Sequence, residues 1–589
     1  MSPKAISTVD AKASCCVLRS LALIKYVATV WVLRIRLLGR HAPSYKASPR
    51  QTAHRSKAGE ARNLKGNNMK LGFLILILTG ALPVCAASSC EDLAKLTLTN
   101  ATVTTAQSVA AGDFTPPGAD AMHDLPAFCR VALTLKPSSD SDIQLEVWMP
   151  VKGWNGKFQG VGNGGFAGTI SFDDLGQAVA HGYVAASTDT GHHGGPTDAG
   201  WALNHPEKII DFGYRAIHES TVQAKALIQA FYGNAPKHSY FSACSNGGRQ
   251  ALMEAQRYPE DYDGIIAGAP ANWWTHLFSS AIIDNQALLS DPASYFPAAK
   301  LPAIEAAALA ACDMNDGVKD GVIENPGACR FDPSVLLCKG EESGNTCLTE
   351  PQLTALKRIY SANHTSTGMQ IMPGYSPGGE ADPWGWAPWL IGAAPAQSML
   401  YGFSTQYYKN MVFGDPNWDF KTFNADRDMK VAEEKTATAL NAIDPDLKKF
   451  EARGGKLILY HGWADAAIPA TNTIEYYQSV VKKMGQKDVS DFTRLYMVPG
   501  MEHCFGGAGP KVFGQGGVPL TDAEHDVAAA LERWVEQGTA PHEIIATKYK
   551  TSGNPASGVA RTRPLCPYPQ TAQYKGSGST DDAANFVCK

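Results

Sequence analysis

Three stretches carry residue types suited to nucleophilic catalysis. In "ACSNGG", Ser245 stands between Cys244 and Asn246, with Ala243 before it and Gly247 two positions on. A small-x-Ser-x-Gly pattern suits a tight turn from strand to helix, where only small flanking side chains fit. Ala243 occupies the place where a first glycine is usual. A serine hydroxyl is a weak nucleophile and needs a base, which in turn needs an orienting acid. "HGWADAAIP" supplies Asp465 and "GMEHCFGG" supplies His503. Glu502 and Asp491 are rival acids. His461 is a rival base, read more readily as lining the site. Taken singly, these residues also read as a turn serine, a surface carboxylate and a loop histidine. The three together, in this order, are far less easily an accident.

An acyl-transfer intermediate carries an oxyanion that needs backbone donors. Asn246, next after the nucleophile, is expected to give one N–H. Gly164 or Gly165, in "GVGNGGFAG", is expected to give the other. A phosphate-binding reading of that loop fails, because no lysine and helix start follow it. A second motif, "CDMNDGVKDGVIE", holds Asp313, Asp316 and Asp320 within eight residues. Hard oxygen ligands at close spacing suit Ca²⁺. The spacing is not that of an EF-hand, and two solvated Asp-Gly turns are the plainer alternative. The histidines are scattered, with no zinc pattern. In "MLYGFSTQYYKNMVF", Phe403, Tyr407 and Tyr408 are candidates to stack on an aromatic ligand. They serve equally well as the core of their own segment.

The elements that must position these groups alternate. "IQLEVWMP" (143–150), "KFQGV" and "GYVAAST" read as strands. "GYRAIHESTVQAKALIQAFYG" has helical period and stops at a glycine. Next come strand, tight turn and helix around Ser245, then the strand "GIIAGAP". Much later, "GGKLILYHG" and "DFTRLYMVPG" read as strands with Asp465 and His503 just past their ends. "TDAEHDVAAALERWVEQG" reads as a final amphipathic helix. Strands alternating with helices predict a mostly parallel α/β sheet, with the site at strand C-termini. From 272 to 450 the pattern fails, and this stretch reads as an inserted lid domain. It divides the core into 88–271 and 451–589.

The chain has 589 residues and a net charge of −4. Residues 1–68 hold 13 Lys/Arg against 2 Asp/Glu, leaving 39 against 54 in the rest. An acidic body argues against nucleic acid and anionic membrane surfaces as partners. "MKLGFLILILTGALPVCAAS" reads as an export signal over 69–87, with cleavage after Ala86 or Ala87. A lipid attachment at Cys85 is disfavoured by Pro83 and Val84. Residues 1–68 read as an extension upstream of the true start at Met69. A membrane anchor there is interrupted by Lys25, Arg34 and Arg36. The expected compartment is the periplasm or the outside of the cell, where cysteines oxidise. Beyond the signal there are ten: Cys90, Cys129, Cys244, Cys312, Cys329, Cys338, Cys347, Cys504, Cys566 and Cys588. Connectivity does not follow from sequence alone. Most fall into local couples: 90 with 129, 312 with 329, 338 with 347, and 566 with 588. Cys244 and Cys504 remain. A bond between them would tie the nucleophile's turn to the base's loop, leaving Ser245 as the nucleophile and Cys244 as a structural residue.

The Cys-Ser turn, the Asp and the His-Cys pair together resemble the tannase and feruloyl esterase family. The likeness extends over "FQGVGNGGFAG", "TDTGH", "ACSNGGRQ", "GIIAGAPA", "HGWADAAIP" and "PGMEHCFGG". It implies an α/β-hydrolase core under a lid, acting on esters of aromatic acids. It implies the cysteine couples given above. It also implies a structural Ca²⁺ held by Asp313, Asp316 and Asp320 with the carbonyls of Val318 and Val322. Ala466 departs from the proline common after the acid in relatives, with little effect expected. The expected activity is a secreted serine carboxylesterase working through an acyl-enzyme on hydroxycinnamic, gallic or related benzoic or terephthalic esters. The rival readings are acyl transfer to another alcohol by the same triad, and a catalytically silent aromatic-ligand-binding protein of the same fold. No organic cofactor is expected, and the oligomeric state is open.

Overall fold

The computed structural model describes residues 89–340 and 344–589. The extension 1–68 and the export segment 69–87 lie outside the described residues. Nine strands share one sheet: β1 (Ala101–Val109), β2 (Phe128–Leu135), β3 (Ile143–Pro150), β4 (Lys157–Val161), β5 (Val184–Thr188), β6 (His238–Cys244), β7 (Gly264–Gly268), β8 (Lys456–Gly462) and β9 (Thr493–Val498). Their order is β1-β2-β3-β5-β4-β6-β7-β8-β9. The pairings β1–β2, β2–β3 and β3–β5 are antiparallel. From β5 to β9 every pairing is parallel. This is an α/β-hydrolase core.

Alternation along the strands builds a core on each face of the sheet. Leu457 and Leu459 enter one apolar cluster, while Ile458 and Tyr460 enter the other. Strands β5 and β7 are buried at every position, so neither shows an alternating polar face. Helices α1 (Phe172–Ala180), α2 (Ala216–Tyr232) and α3 (Asn246–Arg257) connect strands in this half.

Between β7 and β8 the chain leaves the sheet. Two helices of this insertion matter for the site, α4 (Trp274–Leu289) and α5 (Met399–Gln406). Trp274, Phe278 and Phe403 from the insertion share one buried cluster with Phe166, Ala467 and Ile468 from loops at the strand ends. The insertion therefore packs directly over the C-terminal edge of the sheet.

The last helix, α6 (Val527–Gln537), starts later than the sequence pattern suggests. Asp526 caps it, its carboxylate accepting from the N–H groups of Ala528 and Ala529 at 2.9 and 3.0 Å. "TDAEH" is thus a turn. A hairpin that periodicity did not reveal follows, β10 (Ile544–Thr551) with β11 (Asn554–Leu565). Five disulfides link Cys90–Cys129, Cys244–Cys504, Cys312–Cys329, Cys338–Cys347 and Cys566–Cys588. Among the described residues, no helix is long and apolar enough to cross a membrane.

Candidate active site

Ser245 sits between β6 and α3 with φ +67° and ψ −126°, a conformation that few side-chain-bearing residues adopt. The surrounding space explains the small residues. A Cβ on Gly247 would lie 2.4 Å from the Ala243 methyl, and one on Gly248 would lie 2.3 Å from the Gly268 carbonyl oxygen. The turn closes only because both positions lack a side chain.

His503 and Asp465 come from loops after β9 and β8, beside β7 and β6 in the sheet. The Ser245 Oγ lies 2.8 Å from His503 Nε2, and His503 Nδ1 lies 2.7 Å from Asp465 Oδ2. The other Asp465 oxygen accepts from the N–H groups of Ala467 and Ile468, both at 2.8 Å. The Ala466 N–H takes no part in this, so an alanine there leaves the acid's support intact. Burial opposes ionisation of Asp465. The charge of His503 and the hydrogen bonds of His461 and His503 outweigh it and hold the carboxyl below the usual range.

The rival residues fall elsewhere. His461 lines no part of the cavity; it is buried beneath the acid. The Thr473 hydroxyl donates to its Nδ1 at 2.7 Å, leaving Nε2–H to face Asp465 Oδ2 and the Ile468 carbonyl, both at 3.1 Å. Glu502 is buried and makes no hydrogen bond to His503. Burial, with the charges of Asp382 and Asp465 adding, pushes its carboxyl well above the usual range. Asp491 is exposed, away from the triad.

Gly164, Gly165 and Asn246 all line the cavity beside Ser245. Among the described residues their backbone N–H groups have no hydrogen-bond acceptor. Two side chains that sequence reasoning missed hold this corner. Gln250 accepts from the Asn163 N–H at 2.9 Å, locking the glycine loop to α3. Arg249 is wholly buried, donating to the Asn246 side chain at 2.7 and 2.9 Å and to the carbonyls of Phe212 and Gly213. Burial, together with the Arg257 charge, lowers its pKa to about 9. An arginine four positions after a nucleophile gives no sequence signal of this role.

The cavity has a volume of about 560 Å³. Most of its aromatic walls come from the insertion, Trp274, Phe278, Trp384, Trp389 and Phe403, while core loops supply the rest. The half-exposed rings of Trp384 and Phe505 meet edge-to-face at the rim, with centroids 5.2 Å apart. Of the three expected ligand-stacking aromatics, Phe403 lines the cavity. Tyr407 and Tyr408 do not. They lie in the insertion's own core, their hydroxyls bonded to Thr436 at 2.7 Å and Ser279 at 2.6 Å.

The acidic loop lies far along the chain from this machinery. Asp313 accepts from the N–H groups of Asp320 and Gly321, Asp316 from that of Val318, and Asp320 from that of Val322. Burial, with neighbouring carboxylates adding, pushes Asp316 and Asp320 above the usual range. Three carboxylates and two loop carbonyls are hard oxygen donors of the kind a calcium-type cation takes, though the three carboxylates do not here close to within 4.8 Å of one another. Asp320 also pairs with Arg561 at 2.9 Å and Arg563 at 2.5 Å. The loop is thus docked on β11, not free within the insertion.

The sequence model of the family described as "Tannase and feruloyl esterase" matches residues 129–589. An uncharacterized esterase of Xanthomonas campestris is 44% identical over 89% of this chain and 96% of its own length. The crystal structure of feruloyl esterase B from Aspergillus oryzae superposes with a TM-score of 0.78 at 31% identity, covering 85% of this chain and 99% of that one. Tannin acyl hydrolase from Aspergillus niger shares the fold, with a TM-score of 0.66 at 22% identity over 83% of this chain and 92% of its own.

Proposed function

Because the chain belongs to the tannase and feruloyl esterase family of carboxylic ester hydrolases, we propose that it is an exported serine esterase that cleaves esters of aromatic acids through an acyl-enzyme. One observation carries this reading: the Ser245–His503–Asp465 hydrogen-bond chain opens onto an aromatic-walled cavity. His503 Nε2 takes the proton of Ser245 Oγ as the oxygen attacks the ester carbonyl. The proton then passes to the departing alcohol. Asp465 keeps His503 Nδ1–H pointing inward and stabilises the imidazolium. The N–H of Asn246 and that of Gly164 or Gly165 face the developing oxyanion. Water repeats the sequence on the acyl-enzyme and frees the acid.

The cavity's flat rings suit a hydroxycinnamic, gallic or terephthalic acyl group. Five disulfides support an oxidising compartment. Asp313, Asp316, Asp320 and the carbonyls of Val318 and Val322 would hold calcium, which when bound supplies charge that draws the loop's carboxylates together. The test is release of acid from methyl ferulate, methyl gallate and mono(2-hydroxyethyl) terephthalate, with Ser245→Ala alongside. One acid released by the native enzyme and lost in the folded variant is the expected result. Equal turnover by the variant overturns the serine mechanism. No release from any of the three esters overturns the acyl class.

A further inference from the structure

Away from the catalytic cavity, His218 on α2, Glu254 on α3 and Asp261 in the turn before β7 converge. Their ligand atoms lie within 4.8 Å of one another, the only such trio among the described residues. Glu254 is nine positions along α3 from the nucleophile, roughly 13 Å at the rise of an α-helix. None of the three lines the cavity.

The site is unbalanced in hydrogen bonds. His218 Nδ1 lies 2.6 Å from Asp261 Oδ2, so that carboxylate has a partner. Glu254 has none: it is completely buried, and neither of its oxygens meets a donor. Lys225, the nearest amine, spends its ammonium on the main-chain carbonyls of Glu260 and Asp261. Burial, with the Asp261 charge adding, pushes the Glu254 carboxyl well above the usual range. A proton on Glu254 satisfies one oxygen and leaves the other bare. A cation between the three groups serves both carboxylates at once.

We propose that His218, Glu254 and Asp261 form a binding site for a first-row divalent cation of the zinc type. One imidazole nitrogen and two carboxylates are a three-ligand set for such ions, with water completing the shell. The partly exposed His218 ring, stacked on Tyr258 with centroids 3.7 Å apart, marks the side open to solvent. The ion would join α2, the far end of the nucleophile's helix and the turn into β7. Its role is to brace the helix, apart from the ester chemistry.

The test is equilibrium dialysis of the mature chain against Zn²⁺ in calcium-saturated buffer, which keeps the Asp313 loop filled. The expected result is one zinc per chain, with affinity lower by about tenfold or more in Glu254→Gln and in His218→Gln. Ester hydrolysis by both variants should be unchanged. Zinc held equally well by either folded variant overturns the site, as does a folded native chain that retains none. Should both variants fail to fold, anomalous scattering at the zinc edge from native crystals decides. A peak between the three side chains supports the site, and its absence there overturns it.

Discussion

Removing the disulfide between Cys244 and Cys504 tests the link between topology and catalysis. It closes a loop of 260 residues, whereas Cys338–Cys347 spans 9. In the chain-entropy treatment the long loop contributes about 5.5 kcal/mol at 25 °C and the short one about 2.5 kcal/mol. The bonds Cys312–Cys329 and Cys338–Cys347 lie inside the long loop and shorten it. The dependence is logarithmic, so they change the figure by only about 0.1 kcal/mol. The double variant Cys244→Ser/Cys504→Ser should therefore lose about 3 kcal/mol more than Cys338→Ser/Cys347→Ser in urea unfolding. It should also lose activity while still folded. Ser245 and Cys504 both sit at positive φ, +67° and +64°, and the bond holds these two turns side by side. Without it, nothing covalent maintains the 2.8 Å contact from Ser245 to His503. A displacement near 1 Å costs about 100-fold in rate. The assay is kcat and KM on methyl ferulate at a temperature where both variants are folded. We expect kcat to fall about 100-fold in the first variant alone, with KM little changed. Native kcat in a folded Cys244→Ser/Cys504→Ser enzyme would refute the reasoning. So would equal stability losses in the two variants.

Three further outcomes follow from buried charge. Arg249→Met leaves the Asn246 side chain and the carbonyls of Phe212 and Gly213 without their donors. It should lower stability by about 3 kcal/mol or more and lower kcat through the displaced Asn246 amide, as read by urea unfolding and steady-state kinetics. Asp284, buried on α4 within the insertion with Asn363 donating to it at 3.0 Å, has its pKa pushed up to about 7 by burial. The folded carboxyl thus keeps its proton after the unfolded one has lost it. Stability should fall as pH rises from about 4 to about 7 and level off above, by an amount on the order of 4 kcal/mol. Asp284→Asn should flatten that slope in the thermal midpoint. Chelating the calcium proposed for the Asp313 loop should lower the thermal midpoint, because that loop is pinned to β11 through Asp320 and packs Val322 against Gly500 in the turn before His503.

The proposed triad was legible in the sequence because each member is local to an element that announces itself. Ser245, Asp465 and His503 follow apolar runs that can only be buried strands, and a parallel sheet gathers strand ends at one edge. The supports were not legible. Arg249, Gln250 and His461 act through partners 36, 87 and 12 residues away, and no periodicity encodes such pairings. The same holds for the aromatics. "FSTQYY" looks uniform, yet Phe403 faces the cavity while Tyr407 and Tyr408 bond inward to Thr436 and Ser279. Which side of a helix meets solvent depends on what packs against it, here α4 and the loops above the sheet.

This difference in legibility separates two parts of the enzyme. Ser245, Asp465 and His503 stand at the ends of sheet strands, and their spacing is fixed by strand pairing and one disulfide. The aromatic rings that wall the cavity belong mostly to the insertion, whose place over the strand ends rests on the buried cluster shared by Phe166, Trp274, Phe403 and Ile468. A change in that cluster alters the cavity's shape without touching the 2.7 and 2.8 Å contacts of the triad. Substitutions at Phe278 or Phe403, which line the cavity without touching His503, should therefore redistribute kcat/KM among ferulate, gallate and terephthalate esters and leave the rate on a small acetate ester within a few-fold of native. A uniform loss on all four would mean that the insertion also positions the triad, and that the two parts are not separable.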